Sequence, residues 1–206
     1  MIRLELHPEN PQQRALKKAA EIVANGGLII YPTDTQYGIG CDLYNKNALE
    51  KLYHLKHKSK FDPISVMVSD IREASKYAKI SNYAYRVLKH CTPGPYTFIL
   101  PASREIPRVM LSRRKEVGIR LPESEVCLEL VKLLGNPLVN TSVTFHEDEV
   151  LNDPDEIATR YGNDVDVFLD MGWLEEVEES TIVSLLENEP EILRRGKGDP
   201  EKVFER

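Results

Sequence analysis

The 206-residue chain lacks any long hydrophobic segment. Its longest apolar runs, such as residues 28–31, span only a handful of positions, whereas a membrane-spanning helix needs roughly 20. Residues 1–5 carry an acid early and no apolar stretch, so no secretory signal is predicted. With 41% hydrophobic and 29% charged residues, the composition is typical of a globular protein and not of a disordered one. We therefore expect a cytoplasmic protein.

Cysteine is scarce, and the number and spacing of the cysteines argue against two kinds of stabilising feature. Cys41, Cys91 and Cys127 are odd in number and form no C-x-x-C pair, which argues against a disulfide framework or a zinc site. His54 and His57 could share a helix face, but no third ligand follows at metal spacing, so no metal site is predicted. Cys91 could be reactive beside a predicted turn, although a small buried hydrophobic residue is the better interpretation.

Common signatures of nucleotide-binding and hydrolase folds are also missing. The sequence contains no G-x-G-x-x-G fingerprint, no G-x-x-x-x-G-K phosphate loop and no G-x-S-x-G element. It has no internal repeat, no low-complexity tract and no Ser/Gly-rich linker. One domain spanning residues 1–206 is therefore predicted.

The net charge of -6 conceals an asymmetry along the chain. Residues 147–189 contain fifteen acids and one base, Arg160, so the remaining residues carry a balance of +8. A basic body suits anionic ligands such as nucleotides or RNA. For any single charged run, a solvated surface is the simpler explanation.

Helical and strand-like patterns are interspersed along the sequence. Apolar residues spaced by 3.6 positions predict helices near 11–25, 48–55, 83–89 and 126–134, with another beginning at 69–70. Short apolar or alternating runs predict strands at 2–6, 28–31, 64–68, 97–100, 117–121, 138–142, 165–169, 181–185 and 191–194. This pattern predicts an α/β fold with helices packed on a mixed, twisted sheet. The acidic segment 147–163 is expected to be an excursion from that domain.

Residues 32–42, with the sequence PTDTQYGIGCD, form the most informative segment. They follow a buried strand, so their hydroxyls and carboxylate should emerge at its C-terminal end, where open α/β sheets bind ligands. Two threonines and an acid can hold a small polar substrate, and Gly38 and Gly40 allow the backbone to approach closely. On spacing alone, a turn that joins the strand to a helix explains the segment slightly better.

Two basic features could meet an anionic ligand. Lys56 and Lys58 occupy alternate positions, from which both ammonium groups could neutralise phosphate oxygens. Arg120 lies inside an apolar strand, and a buried arginine either pairs with an acid or serves an anionic ligand. The segment 92–97, TPGPYT, is interpreted as a rigid turn before a strand and not as a ligand contact.

The order of the motifs resembles the YrdC/YciO family, which includes the threonylcarbamoyl-AMP synthases. Between about residues 12 and 198 the chain carries P-T-D-T-x-Y-G-x-G, K-x-K followed by P-I-S-V, T-P-G-P-x-T, G-I-R-L-P, P-L-V-N-T-S, S-T-I-V and I-L-R-x-G. Residues 7–14 and Tyr96 look more like the YciO branch. The resemblance implies a twisted, open, mixed α/β sheet around a basic cavity.

The resemblance also implies a nucleotidyltransferase reaction. In the synthase members, L-threonine, bicarbonate and ATP give threonylcarbamoyl-AMP and pyrophosphate, for threonylcarbamoyladenosine formation on tRNA. Attack of a carbamate oxygen on the α-phosphorus would depend mostly on positioning and charge neutralisation, and Mg²⁺ would bridge the departing pyrophosphate. ATP with Mg²⁺, L-threonine and bicarbonate are therefore the expected ligands.

Matching positions carry over the family's site residues. The expected substrate-binding residues are Thr33, Thr35 and Tyr37. The expected catalytic residues, facing phosphates and other anionic groups, are Lys56, Lys58 and Arg120. The expected nucleotide-binding residues are Ser65, Asn140, Ser142, Thr144, Ser180 and Arg194.

Three of these positions depart from the family pattern. Lys58 replaces an arginine and loses its bidentate fork, Thr144 replaces an asparagine and loses a carboxamide, and Asn140 replaces a serine. The scaffold glycines and prolines are intact, so we expect the fold with a synthase activity that is weak or altered in substrate. The alternative is a protein that uses the basic cavity to bind double-stranded RNA, tRNA or ribosomal RNA without synthase activity.

Overall fold

A mixed sheet of ten strands, with helices on both faces, organises the chain. The computed structural model describes residues 1–56, 64–110, 115–145, 149–175 and 177–205. The strands are β1 (Ile2–Glu5), β2 (Ile29–Pro32), β3 (Tyr37–Asp42), β4 (Ser65–Met67), β5 (Tyr96–Pro101), β6 (Glu116–Arg120), β7 (Leu138–Ser142), β8 (Thr144–Phe145), β9 (Glu149–Val150), β10 (Val167–Asp170), β11 (Thr181–Ser184) and β12 (Glu191–Arg194). The helices are α1 (Gln13–Ala24), α2 (Lys46–Leu55), α3 (Ile71–Tyr77), α4 (Asn82–Cys91), α5 (Glu125–Leu134) and α6 (Pro154–Tyr161).

The strand order in the large sheet is β1-β10-β2-β3-β7-β4-β6-β5-β11-β12. Four neighbouring pairs are parallel, namely β1 with β10, β10 with β2, β4 with β6, and β5 with β11, and the others are antiparallel. The predicted mixed α/β sheet is therefore confirmed. The strands β8 and β9 form a separate hairpin within the acidic part of the sequence.

The helices begin where the sequence supplies capping side chains. Asn45, Asp70, Ser81 and Ser124 each accept a hydrogen bond from the backbone N–H three residues later, which satisfies a donor that the first helical turn leaves open. Asp153 caps α6 in the same way, with a proline at the start of the helix. The sequence pattern did not predict α6, although both of these start signals are present.

The two faces of the sheet are covered to different extents. On one face, α2, α3, α4 and α6 pack on a core that runs across most of the strands. On the other face, α1 and α5 pack against β10, β2 and the nearby ends of β4 and β7. Among the described residues, this second core contains none from β5, β6, β11 or β12. Part of that face is therefore left without an apolar layer of helices.

The turn within residues 32–42 joins β2 to β3, and α2 begins only after β3 has ended, so the interpretation as a strand-to-helix turn is wrong. Residues 37–42 form β3, which is buried throughout and lies antiparallel between β2 and β7. The sequence pattern did not predict this strand, because Gly38 and Gly40 interrupt the alternation of apolar residues that indicates a strand. They are required by the sheet itself, since a Cβ atom at Gly40 would lie 2.0 Å from the Val139 carbonyl oxygen.

No helix within the described ranges is both long and apolar enough to cross a membrane.

All three cysteines are free and buried, and we expect them to be unreactive in the native protein. Burial raises the pKa of Cys91 to about 11 and that of Cys127 to about 12, and it raises the pKa of Cys41 further. Because the thiolate is the reacting species, a disulfide reagent such as Ellman's should modify no thiol rapidly at mildly alkaline pH. All three should react in denaturant. A fast-reacting thiol in the native protein would contradict this assignment.

Candidate functional site

The turn between β2 and β3 holds the side chain of Arg120. Arg120 Nη2 donates hydrogen bonds to Asp34 Oδ1 at 2.6 Å, to Thr35 Oγ1 at 2.6 Å and to Thr33 Oγ1 at 3.4 Å. The side chains of Arg120 and Asp34 are only 6% and 8% exposed. Of the two partners expected for a buried arginine, the acid is therefore present. We call Thr33, Asp34, Thr35 and Arg120 the turn cluster.

Hydrogen bonds within the turn fix its shape. Thr33 Oγ1 donates to the Gln36 carbonyl at 2.6 Å and accepts from the backbone N–H groups of Thr35 and Gln36 at 3.1 and 3.2 Å. Asp34 Oδ2 accepts from the Glu123 N–H at 3.0 Å, which ties the turn to the start of α5. Arg120 Nε is buried and has no hydrogen-bond partner among the described residues. A buried donor of this kind is unfavourable unless something accepts from it.

A second group of polar side chains lies on β2, β7 and β4. The Tyr31 hydroxyl donates to Asn140 Oδ1 at 2.5 Å, Ser65 Oγ donates to the Asn140 carbonyl at 3.0 Å, and Asn140 Nδ2 approaches Ser65 Oγ at 3.4 Å. Burial raises the pKa of Tyr31 well above its ordinary value, so its hydroxyl remains a donor. We call Tyr31, Ser65 and Asn140 the central cluster.

A third group lies where β5 meets β11 and β12. Thr97 Oγ1 and Ser180 Oγ are 2.9 Å apart, and Arg194 Nη2 donates to the Ser180 carbonyl at 2.9 Å. Arg194 Nη1 also lies 2.7 Å from Glu179 Oε1, and its side chain is 35% exposed. We call Thr97, Glu179, Ser180 and Arg194 the rim cluster.

Gly38 brings the turn cluster and the central cluster together. A Cβ atom built at Gly38 would lie 2.6 Å from Asn140 Oδ1, 3.2 Å from the Tyr31 ring and 3.3 Å from Thr33 Cγ2. Members of both clusters therefore surround the position that a side chain here would occupy.

Gly118 joins the central cluster to the rim cluster in the same way. A Cβ atom built at this position would lie 3.3 Å from Ser65 Cβ and 3.3 Å from Thr97 Cγ2. The three clusters are consequently adjacent on one face of the sheet, and we call them together the polar surface, although most of their side chains are buried. Tyr31 also belongs to the second core. The polar surface therefore lies on the same face of the sheet as that core and begins where its apolar layer ends.

Lys56 directly follows α2 and contacts the β8–β9 hairpin, which comes after β7. Its Nζ donates to Thr144 Oγ1 at 2.8 Å, and the Thr144 carbonyl accepts from the Tyr161 hydroxyl at 2.6 Å. Ser142, two residues before Thr144, pairs with Gly38 across the β3–β7 ladder and is partly exposed. Lys58, predicted to act beside Lys56, lies outside the described residues.

Tyr37 is a site candidate that lies on the opposite face of the sheet from the polar surface. Its side chain is fully buried in the core on the opposite face, where the ring packs edge-on against Phe168. Its hydroxyl donates to the Gly172 carbonyl at 2.7 Å. Alternation along β3 explains the difference, because Gly38 points to one face and Tyr37 to the other. Tyr37 therefore has a structural role.

Sequence reasoning missed four members of the surface, namely Tyr31, Asp34 as the partner of Arg120, Thr97 and Glu179. Thr97 was interpreted as part of a structural turn, yet its hydroxyl contacts Ser180. A usable signal was present, because Thr97 lies between Tyr96 and Phe98 in a predicted strand, so that its hydroxyl must face away from the core that those two rings enter.

The comparisons with known proteins agree with this architecture. A family model named Sua5/YciO/YrdC and described as "Telomere recombination" matches residues 21–196. An uncharacterized Haemophilus influenzae protein is 40% identical over 196 residues, which is 94% of each chain. A Pyrococcus abyssi protein named threonylcarbamoyl-AMP synthase is 27% identical over 189 residues, which cover 91% of this chain but only 56% of that one.

Two solved structures superpose closely. The crystal structure of Escherichia coli YciO has a TM-score of 0.93 and 36% identity, and the match covers 98% of this chain and all of that one. The structure of Pyrococcus abyssi Sua5 complexed with L-threonine has a TM-score of 0.88 and 26% identity, and it covers 95% of this chain and 58% of that one. The fold, the matched residues and the level of identity together lead to one conclusion: this chain belongs to the Sua5/YciO/YrdC family.

Proposed function

We propose that this chain is a nucleotidyltransferase of the threonylcarbamoyl-AMP synthase type. It would convert L-threonine, bicarbonate and ATP into threonylcarbamoyl-AMP and pyrophosphate, an intermediate for tRNA modification. The observation that carries the proposal is the polar surface formed by the turn, central and rim clusters. The related Sua5 protein that is complexed with L-threonine supports the choice of amino acid.

The turn cluster is the proposed site for the amino acid. Thr33 and Thr35 supply hydroxyls, and the unpartnered Nε of Arg120 supplies a buried donor for a carboxylate oxygen. Asp34 offsets much of the arginine's charge, so the cluster offers directed hydrogen bonds more than net attraction. Such preorganised donors orient a small zwitterion without large rearrangement of the protein.

The proposed chemistry proceeds in two steps. The threonine nitrogen attacks bicarbonate, and loss of water gives a carbamate. A carbamate oxygen then attacks the α-phosphorus of ATP, a P–O bond forms, and the bond to the departing pyrophosphate breaks. Lys56 is the proposed partner of that leaving group, and Thr144 orients its ammonium. Positioning and charge neutralisation would supply most of the rate acceleration.

The rim cluster is the proposed contact for the nucleotide. Arg194 presents a partly exposed guanidinium, and Thr97 and Ser180 add hydroxyls beside it. Among the described residues, no group of three His, Cys, Asp or Glu side chains is arranged to hold a metal ion. We therefore regard Mg²⁺ as part of the substrate, bound to the phosphates of ATP.

Pyrophosphate release tests the proposed function. ATP and bicarbonate are incubated with each amino acid in turn, and threonine should give the fastest release. Lys56→Ala should reduce that release by about 100-fold, the typical effect of losing one charge-stabilising group. Lys46→Ala, an exposed lysine at the start of the same helix, serves as the matched control and should behave as the wild type. Absence of release with every amino acid would overturn the proposal.

Thr144→Val is expected to lower kcat/KM for ATP by about 10-fold. The substitution keeps the shape of the side chain and removes the oxygen that accepts from Lys56 Nζ. A hydrogen bond to a charged group contributes about 1.5–3 kcal/mol, and the lower end corresponds to roughly this rate factor. Steady-state kinetics provide the measurement, with Thr159→Val on the exposed surface of α6 as the control. Equal kinetics for both variants would remove Thr144 from the site.

RNA binding remains the alternative prediction. RNA held through several phosphates should lose affinity steeply as salt rises, whereas a nucleotide held by directed hydroxyl contacts should depend on salt less. Arg120 is a poor phosphate contact for RNA, since it is nearly buried and paired with Asp34. Salt-sensitive binding of RNA duplexes without any pyrophosphate release would favour this alternative.

A further inference from the structure

The sole tryptophan of the chain, Trp173, lies on the surface beyond the end of β10. Its side chain is 66% exposed, the highest value among the exposed large hydrophobic residues that the structure describes. Isolated exposed hydrophobic residues are common and carry no meaning alone. The backbone that carries Trp173 is, however, held on both sides of it.

Tyr37 holds the residues before Trp173. The buried Tyr37 hydroxyl accepts from the Met171 N–H at 3.0 Å and donates to the Gly172 carbonyl at 2.7 Å. The Gly172 N–H also donates to Asp170 Oδ1 at 2.8 Å. Gly172 has a φ of 80°, a left-handed conformation that favours glycine. Burial raises the pKa of Tyr37 above its ordinary value, so its hydroxyl keeps its proton.

Asn152 holds the residue after Trp173. Its Oδ1 accepts from the Leu174 N–H at 3.2 Å, and its Nδ2 donates to the Leu174 carbonyl. The Leu174 side chain packs against the core. The exposed indole is therefore carried by an ordered backbone, which lowers the entropy that a partner must overcome on binding.

The charge around Trp173 favours a cationic partner. Leu174 is partly buried, whereas Trp173 and Glu175, two residues apart, are both exposed. Glu178 is exposed further along, and residues 147–189 as a whole carry fifteen acids and one base. Nucleic acid phosphates would be repelled here. An aromatic face beside carboxylates is instead an arrangement that binds guanidinium groups.

We propose that Trp173 and Glu175 form a docking surface for an arginine-rich segment of a partner protein. One guanidinium stacks on the indole face, and the carboxylate of Glu175 receives a neighbouring cation. Arginine is preferred to lysine because its planar group stacks on aromatic rings and pairs with carboxylates through two N–H groups. The proposed contact needs no substrate of the reaction, so it can be tested without measuring catalysis.

Fluorescence anisotropy with a labelled nona-arginine peptide tests the proposal. Trp173→Ala leaves every charge in place and should weaken binding about 3-fold, the typical effect of losing an exposed cation–π contact. Tyr85→Ala removes another exposed aromatic residue, on α4, and should leave affinity unchanged. The peptide should also quench the emission of Trp173 in the wild type, and a nona-lysine peptide should bind more weakly.

Two results would overturn the proposal that Trp173 and Glu175 form a docking surface for an arginine-rich segment. Equal affinity of the Trp173→Ala and Tyr85→Ala variants would mean that the peptide senses only the acidic charge. Displacement of the peptide by single-stranded RNA that quenches Trp173 would identify a nucleic acid site instead. Both variants should unfold at the same temperature as the wild type, which would show that each is folded.

Discussion

Asp34→Ala is expected to lower the free energy of unfolding by about 3–5 kcal/mol, the typical effect of breaking a buried ion pair by removing one partner. The guanidinium of Arg120 would remain buried without its carboxylate, and the Glu123 N–H would lose its acceptor. Urea denaturation followed by circular dichroism measures the change. Replacing Arg120 with leucine in the same variant should recover part of the loss, because no uncompensated charge would then be buried.

Asp155→Ala is the matched control for this prediction. The Arg3–Asp155 pair has the same 2.6 Å separation as the Arg120–Asp34 pair, but the Asp155 side chain is 85% exposed. Arg3 also keeps its second partner, Asp170. Exposed ion pairs contribute about 0–1 kcal/mol. Losses of similar size for the two alanine variants would contradict the difference in burial on which the account of Arg120 rests.

Gly118→Val is expected to reduce threonine-dependent pyrophosphate release by about 100-fold, since a small displacement of reacting groups has effects of that order. The new side chain would press against Ser65 and Thr97 and fill the space between the central and rim clusters. The strand itself should tolerate valine, which favours extended backbone.

A graded series separates this effect from misfolding. Gly118→Ala should lose less activity than Gly118→Val, because its single methyl group requires the neighbours to move by only a few tenths of an ångström. Gly118→Ala should unfold at a temperature close to that of the wild type, and thermal unfolding of Gly118→Val measures how far the larger side chain destabilises the protein. Full activity of Gly118→Val would mean that the polar surface is not the site of the reaction.

Two of the three family departures have defined partners in this structure, and the third, Lys58, lies outside the described residues. Asn140 is held by Tyr31 and Ser65, and Thr144 accepts from Lys56. A proposed site with altered contacts could prefer another amino acid, which is why the amino acid panel is included in the test of function.

The elements that sequence predicted well are those with clear end signals. The strand expected at 138–142 is β7 (Leu138–Ser142), and the signal before it is strong because Gly135 ends α5 in a left-handed conformation. The strand β3 was missed because Gly38 and Gly40 remove the apolar pattern on which strand prediction depends. Close strand packing, which requires those glycines, becomes visible only when the neighbouring strand is known.

The sequence predicted many residues of the site but not which of them contact one another. Sequence indicated that a buried Arg120 either pairs with an acid or serves an anionic ligand, because burial of an unpaired charge is unfavourable. It did not identify Asp34, since the contact joins residues 86 positions apart and depends on how the β2–β3 turn folds back. Tyr37 was misassigned for a related reason, because one position along a strand decides which face a side chain occupies.

Carbon-13-labelled bicarbonate tests the central claim most directly. The protein is incubated with ATP, Mg²⁺, L-threonine and the labelled bicarbonate, and the nucleotides are analysed by mass spectrometry. The account predicts threonylcarbamoyl-AMP that carries the label, formed by the wild type and strongly reduced in the Gly118→Val variant. Unlabelled nucleotides alone, from a protein that is folded and supplied with all substrates, would contradict it.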